Sequence, residues 1–132
     1  MESQKGLKHV VAIHQVYKYE LDEDCGFQTP IQGVEAEVEG GWVRLLESGL
    51  LLFKKGYSYN GASGPTYDSA SSLAPSLVHD GGYQLISEAN LSRKYRKVFD
   101  KLFLRMLKEN GMSFPRRTLW YLAVRAVGWM YV

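Results

Sequence analysis

The hydrophobic period of the chain switches once, from about 2 residues to about 3.6, which restricts it to folds that keep strands and helices in separate stretches. Val34 to Glu39 reads Val-Glu-Ala-Glu-Val-Glu, apolar and acidic by turns, as a strand with one buried face requires. From Ser92 the apolar residues fall instead at Tyr95, Val98, Phe99, Leu102, Phe103, Met106 and Leu107. That is the i, i+3, i+4, i+7 spacing of an amphipathic helix, and Asn110-Gly111 ends it.

The rest of the chain falls in around these two segments. Gly40-Gly41 supplies a two-residue turn, so Trp42 to Leu46 should return beside the first strand. A second turn at Ser48-Gly49 leads into the apolar run Leu50 to Phe53, and His14 to Leu21, rich in β-formers, should join the same sheet. Leu21 to Gly26 is acidic and reads as a hairpin tip. Tyr59 to Ser72, with Gly61, Gly64 and Pro65, reads as an irregular loop. Leu73 to Ile86 is then a helix entered at Pro75, with Gly81-Gly82 as its weak point, and Ser113 caps a last helix starting near Pro115. The expected fold is a single α+β domain over residues 1–132, an N-terminal antiparallel β-meander packed on about three C-terminal helices. Residues 1–58 are mainly strands, 59–72 a Gly-rich loop and 73–132 helices.

Composition removes several classes of protein. With 132 residues, 45% hydrophobic and a net charge of +2, the chain can bury one core, so disorder and a fibre are excluded. The single cysteine, Cys25, cannot form an intrachain disulfide, which points to a reducing compartment or a virion. Met1 to Val10 holds no apolar segment followed by a small-residue cleavage site, so no export signal is expected. Leu119 to Val132 is broken by Arg125 and Gly128 and falls short of the roughly twenty residues a membrane span needs. Residues 1–68 carry six Lys/Arg and ten Asp/Glu, residues 69–132 ten and four. The basic half suits phosphate, lipid headgroups or an acidic partner, while no nucleic-acid motif is present. Arg117, Tyr121 and Arg125 form one ridge of the last helix, read as a solvated face beside a buried stripe of Leu119, Leu122, Val124 and Val127.

Chemistry concentrates around His79-Asp80. Tyr83 lies one helical turn beyond His79, and Asp100 sits on the flank of the next helix's apolar stripe. At about 100° per residue its carboxylate can reach the crevice beside the preceding helix. The plainer reading, which can hold at the same time, is an i, i+4 pair of Arg96 with Asp100. His9 and His14, five residues apart, share neither a helix face nor a strand face and are expected at the surface. Zinc is disfavoured, because only His79 offers a nitrogen and Cys25 lies in another segment.

The run Tyr57-Ser58-Tyr59-Asn60-Gly61-Ala62-Ser63, then Val78-His79-Asp80 with Tyr83, then Arg96-Lys97-Val98-Phe99-Asp100-Lys101-Leu102-Phe103 and finally Tyr121 to Gly128, resembles a family of phage and prophage proteins. That family, domain of unknown function thirteen-fifty-three, shows a Thr-Asp-Gly-Ala-Ser loop, a His-Asp helix, an Arg-x-x-Ala-Asp-x-x-Phe helix and a closing Ala-Val-Arg-x-x-Gly segment. Asn60 stands where the family has Asp, and Phe99 where it has Ala. More distantly, a Gly-rich loop, a helical His-Asp followed by Tyr, and a helical Asp are similar to phospholipases A2.

The second resemblance implies His79 as general base and Asp100 as the group that orients it. It further implies Ca²⁺ held by Asp80 and by backbone oxygens around Gly61 and Gly64, with Asn60, Ser63, Tyr83 and Arg96 in support. A neutral imidazole suits such a base, and calcium's six to eight oxygens, a number general to the ion, are ones that backbone and carboxylate can supply. Two functions are therefore expected in turn. One is a phage-associated hydrolase of lipid esters. The other is a non-catalytic virion or assembly protein in which the same residues form a buried polar network. The expected partners are phage structural proteins, with a lipid surface as a further one, and the expected location is the host cytoplasm or the virion.

Overall fold

The computed structural model describes residues 7–9, 19–59 and 73–127, and over them antiparallel strands come first and three α-helices follow. The strands divide between two sheets. β1 (Leu7–His9), β2 (Tyr19–Leu21) and β7 (Ser58–Tyr59) lie in the order β1-β2-β7. β3 (Cys25–Gln28), β4 (Ala36–Glu37), β5 (Val43–Leu45) and β6 (Leu50–Phe53) lie in the order β3-β6-β5-β4.

The run β4-β5-β6 is the meander expected from the alternation. β3 adds to its far side, pairing Cys25 with Phe53 and Gln28 with Leu50, which makes the order that of a Greek key. Tyr19–Leu21, expected in that same sheet, pairs instead with β1 and β7. The acidic segment after Leu21 is therefore a crossing between sheets and not a hairpin tip. Its Asp24 carboxylate accepts a hydrogen bond from the Lys55 N–H at 2.7 Å, which ties the crossing to the turn between β6 and β7. β4 is shorter than its alternating sequence, because Glu39–Gly41 coils into a 3-10 turn once the Val38 N–H has bonded the Val43 carbonyl at 3.0 Å. Gly40 and Gly41 there have φ of 85° and 72°, open to glycine at little cost. His9 pairs with Tyr19 through the backbone, and His14 lies outside the described residues.

The helices are α1 (Leu73–Glu88), α2 (Arg96–Glu109) and α3 (Phe114–Val127). Ser92 starts a short 3-10 turn ahead of α2, its hydroxyl accepting from the Lys94 N–H at 3.3 Å. Pro115 sits in the first turn of α3, where its missing N–H costs nothing. Gly81 and Gly82, unfavourable in a helix interior, are explained by close approach. A Cβ on Gly81 would stand 2.5 Å from the Phe53 ring, and one on Gly82 would collide with the Phe99 ring. They let α1 lie against β6 on one side and α2 on the other.

The main core joins Val43, Leu45, Leu51 and Phe53 of the larger sheet to Leu77, Val78 and Leu85 of α1 and to Phe99, Leu102 and Met106 of α2. A smaller cluster of Phe103, Leu107, Met112 and Trp120, with Val124 against it, seats α3 on α2. This rotates α3 away from the expected stripe. Trp120 is 3% exposed, whereas Leu119 and Leu122 are 47% and 58% exposed. The largest aromatic ring on the helix takes the space over Phe103, with ring centroids 5.9 Å apart, and the two leucines are turned to solvent.

Candidate functional site

Helix periodicity builds the site. His79 and Tyr83, one turn apart on α1, bring their rings together at 4.2 Å between centroids, tilted by 39°. Asp100, between Phe99 and Leu102 on α2, is carried into the helix interface and has no solvent exposure. A carboxylate so placed is costly unless donors surround it. Here they come from the two flanking helices, α1 and α3. His79 Nε2 lies 2.7 Å and the Tyr83 hydroxyl 2.6 Å from Asp100 Oδ1, while Arg125 Nη1 lies 2.8 Å from Oδ2.

Arg96 holds the frame. Its Nε donates to the Tyr83 hydroxyl at 3.3 Å, its Nη2 donates to the Arg125 carbonyl at 2.8 Å, and Nε is 4.0 Å from Asp100 Oδ2. The i, i+4 pair expected between Arg96 and Asp100 is thus present but long, and the guanidinium mainly links Tyr83 to the end of α3. Phe103, 5.1 Å from the imidazole, closes the apolar side.

The electrostatics follow from these neighbours. Burial works against a charge on His79, yet the Asp100 and Asp80 carboxylates outweigh it and hold the imidazole pKa above the ordinary histidine value. Burial would raise the Asp100 pKa, but bonds from His79, Tyr83 and Arg125 hold it below the usual carboxylate range. The Tyr83 phenol is pushed well up, by burial first and then by the adjacent carboxylate. Asp100 also raises the Arg125 pKa. With Nε2 committed to Asp100, the neutral imidazole carries its lone pair on Nδ1. That atom lies 4.0 Å from Asp80 Oδ1 and has no hydrogen bond among the described residues. Such an imidazole can accept a proton at Nδ1 while the carboxylate behind it steadies the cation.

Of the residues singled out from sequence, His79, Tyr83, Arg96 and Asp100 meet in one cluster, and Asp80 flanks the imidazole. Asn60, Gly61, Ser63 and Gly64 lie outside the described residues. Among the described residues no three His, Cys, Asp or Glu side chains converge on a metal position. One carboxylate, Asp80, does not by itself build a calcium site, so the expected calcium set rests on Gly61 and Gly64. Arg125, expected on a solvated ridge of the last helix, is placed otherwise. It reaches inward to Asp100 and is no part of a solvated ridge, while Arg117 bonds the Met112 carbonyl at 3.0 Å. An unpaired Asp on the flank of α2 facing a C-terminal Arg was the available signal. Ser76, 4% exposed and one turn before His79 and Asp80, carries no sequence signal, and its hydroxyl has no hydrogen-bond partner among the described residues.

Residues 46–124 match the family described as "Protein of unknown function (DUF1353)", well over half of the chain. The chain belongs to the DUF1353 family. The DUF1353 match runs from just after β5 into α3 and takes in His79, Asp80, Tyr83, Arg96 and Asp100. It stops one residue before Arg125, and β1 to β5 lie outside it. No curated protein and no solved structure matches the chain. Among the described residues no helix is long and apolar enough to cross a membrane.

Proposed function

We propose that this DUF1353 protein is a phage-associated hydrolase of lipid esters, with His79 as general base and Asp100 as the group that orients it. One observation carries the reading: the imidazole is held through Nε2 by a buried carboxylate at 2.7 Å while Nδ1 makes no hydrogen bond among the described residues. In the reaction, Nδ1 takes a proton from water as the water oxygen bonds to the ester carbonyl carbon. When the tetrahedral intermediate collapses, the carbon–oxygen bond to the alcohol breaks and the proton passes from Nδ1 to the departing oxygen. Asp100 stays ionised throughout, and Tyr83 and Arg125 keep it aimed. The likeness to phospholipases A2 in loop, His-Asp and distant Asp supports the choice of ester. A calcium requirement belongs to this reading only through Gly61 and Gly64. The test is fatty-acid release from phospholipid vesicles, with calcium and with a chelator, by wild type and by His79→Gln. Release by wild type in either condition, lost in the variant, supports the proposal; no release in both conditions removes it.

A second reading rests on a different observation, that Asp100 receives donors from α1 and α3 while itself lying on α2. On it the cluster is a polar clamp in a virion or assembly protein, located in the host cytoplasm or the particle. Its support is the resemblance to phage and prophage proteins. Mass spectrometry of purified particles from a phage carrying the gene tests it, and absence of the protein from those particles counts against a virion role.

A further inference from the structure

The outer face of the larger sheet carries a hollow that the helical site does not use. Alternation along β5 and β6 turns Val43, Leu45, Leu51 and Phe53 into the core and Arg44 and Leu52 away from it. The register sets Gly26, Leu52, Arg44 and Glu37 side by side across β3, β6, β5 and β4. Gly26 leaves the row low at β3, where a Cβ would stand 3.1 Å from Leu52 Cδ2. Rimmed by Asp24, Lys54 and the Gly40-Gly41 turn, the row floors an open hollow of about 530 Å³, a size that suits a small molecule.

Its charged side chains are two of each sign, and each keeps bonding capacity to spare. Arg44 Nε lies 3.1 Å from Glu37 Oε1, and neither Nη group has a hydrogen bond among the described residues. Lys54 Nζ sits 5.1 Å from the centre of the Trp42 ring and donates to the Gly40 carbonyl at 3.5 Å, so it leans toward the β5 side with N–H groups still to give. Asp24 accepts the Lys55 N–H through Oδ1, while Oδ2 accepts nothing among the described residues.

We propose that this hollow binds a small zwitterion, an ammonium group and a carboxylate or phosphate joined by a short carbon chain. The acid group meets the Arg44 fork and the Lys54 ammonium, the ligand's own ammonium meets Asp24, and the carbon chain lies over Leu52. The charge balance decides against simpler ligands. Two cations and two carboxylates sum to zero, so a lone anion or a lone cation meets as much repulsion as attraction, whereas a zwitterion sets each end beside its opposite. Apart from Leu52, Phe53 and Lys54 the lining residues precede residue 46, so most of the hollow lies outside the stretch that matches DUF1353. It stands independently of hydrolysis by His79.

The test is NMR titration of the backbone amides with phosphoethanolamine, free leucine, inorganic phosphate and ethylamine. At least one zwitterion is expected to shift the amides of Gly26, Gly41 and Arg44 and to bind about tenfold tighter than phosphate or ethylamine. Phosphoethanolamine binding without leucine binding supports the proposal with a lipid headgroup as the source, and the reverse supports it with a free amino acid. Arg44→Gln and Asp24→Asn should each weaken the zwitterion by about tenfold. Both variants should melt where wild type does, since both side chains are exposed and asparagine keeps the acceptor for the Lys55 N–H. Three results overturn the proposal. The first is no shift with either zwitterion at millimolar concentration. The second is phosphate or ethylamine binding as tightly as the zwitterion. The third is zwitterion binding that neither substitution weakens.

Discussion

Arg125 Nη1 donates to Asp100 Oδ2 at 2.8 Å, and through this one contact the last helix completes the coordination of a carboxylate that α1 and α2 bury between them. The two residues are 25 positions apart, and neither is charged to advantage without the other. A double-mutant cycle with Asp100→Asn and Arg125→Gln should give a coupling energy of about 0.5–3 kcal/mol, the range for contacting residues in one network. Additive losses in urea unfolding would mean that the contact contributes nothing.

Removing the carboxylate should cost more than removing any single donor. Asp100→Ala leaves His79, Tyr83 and Arg125 facing an empty position, and breaking a buried ionic cluster from one side costs about 3–5 kcal/mol. Chemical denaturation measures it, and a loss under about 1 kcal/mol contradicts the described geometry.

Tyr83→Phe removes one hydroxyl and keeps the ring. It takes the 2.6 Å bond from Asp100 and the acceptor from Arg96. The expected loss is about 1.5–3 kcal/mol, the range for a hydrogen bond to a charged group. The Asp100 pKa should rise in the variant, visible as acid unfolding at higher pH than wild type.

The pH dependence has a defined sign. His79 binds its proton more tightly folded than unfolded, so its contribution is full below the unfolded pKa and fades as pH climbs through the higher folded value. Asp100 runs the other way: its contribution is full above the unfolded pKa and is lost as pH falls through the lowered folded value. The pair should therefore stabilise most between about pH 4 and about pH 6.5, the two ordinary values. Titration of the His79 ring by NMR should give a midpoint above the ordinary histidine value, and Asp80→Asn should lower it. A midpoint below the ordinary value would show burial overriding both carboxylates. The hydrolysis proposed for His79 should rise with pH through that same midpoint.

Gly82→Ala sets helix propensity against packing. Alanine gains about 1 kcal/mol in a helix interior. Its methyl would strike the fully buried Phe99 ring, and overpacking costs about 1–3 kcal/mol. Net destabilisation is the expected outcome, and a higher melting temperature would show that α1 and α2 can separate freely.

How much of this was legible in the sequence depended on local period. The stripe Phe99, Leu102, Phe103, Met106 and Leu107 placed Asp100 at the edge of a buried face, and α1 was readable from Leu73 onward. The pairing of Cys25–Gln28 with Leu50–Phe53 was not, because strand partners more than twenty residues apart leave no periodic trace. The rotation of α3 was lost for a related reason. Apolar residues occur all around it, and only Trp120 against Phe103 and Arg125 against Asp100 decide which side faces in. The function of Gly81-Gly82 required knowing that aromatic rings approach from two directions.

The small cluster around Trp120 has a consequence for how the molecule comes apart. α3 is seated by Phe103, Leu107, Met112 and Trp120 and fastened at its far end by Arg125, whereas α1 and α2 share the main core with the sheet. Peeling α3 away would strip one oxygen of Asp100 of its guanidinium while Tyr83 and His79 kept hold of the other. Backbone amides of the last helix should therefore exchange with deuterium through a partial opening, at lower free energy than those of α1 and α2, and that opening would let water reach the imidazole from the carboxylate side.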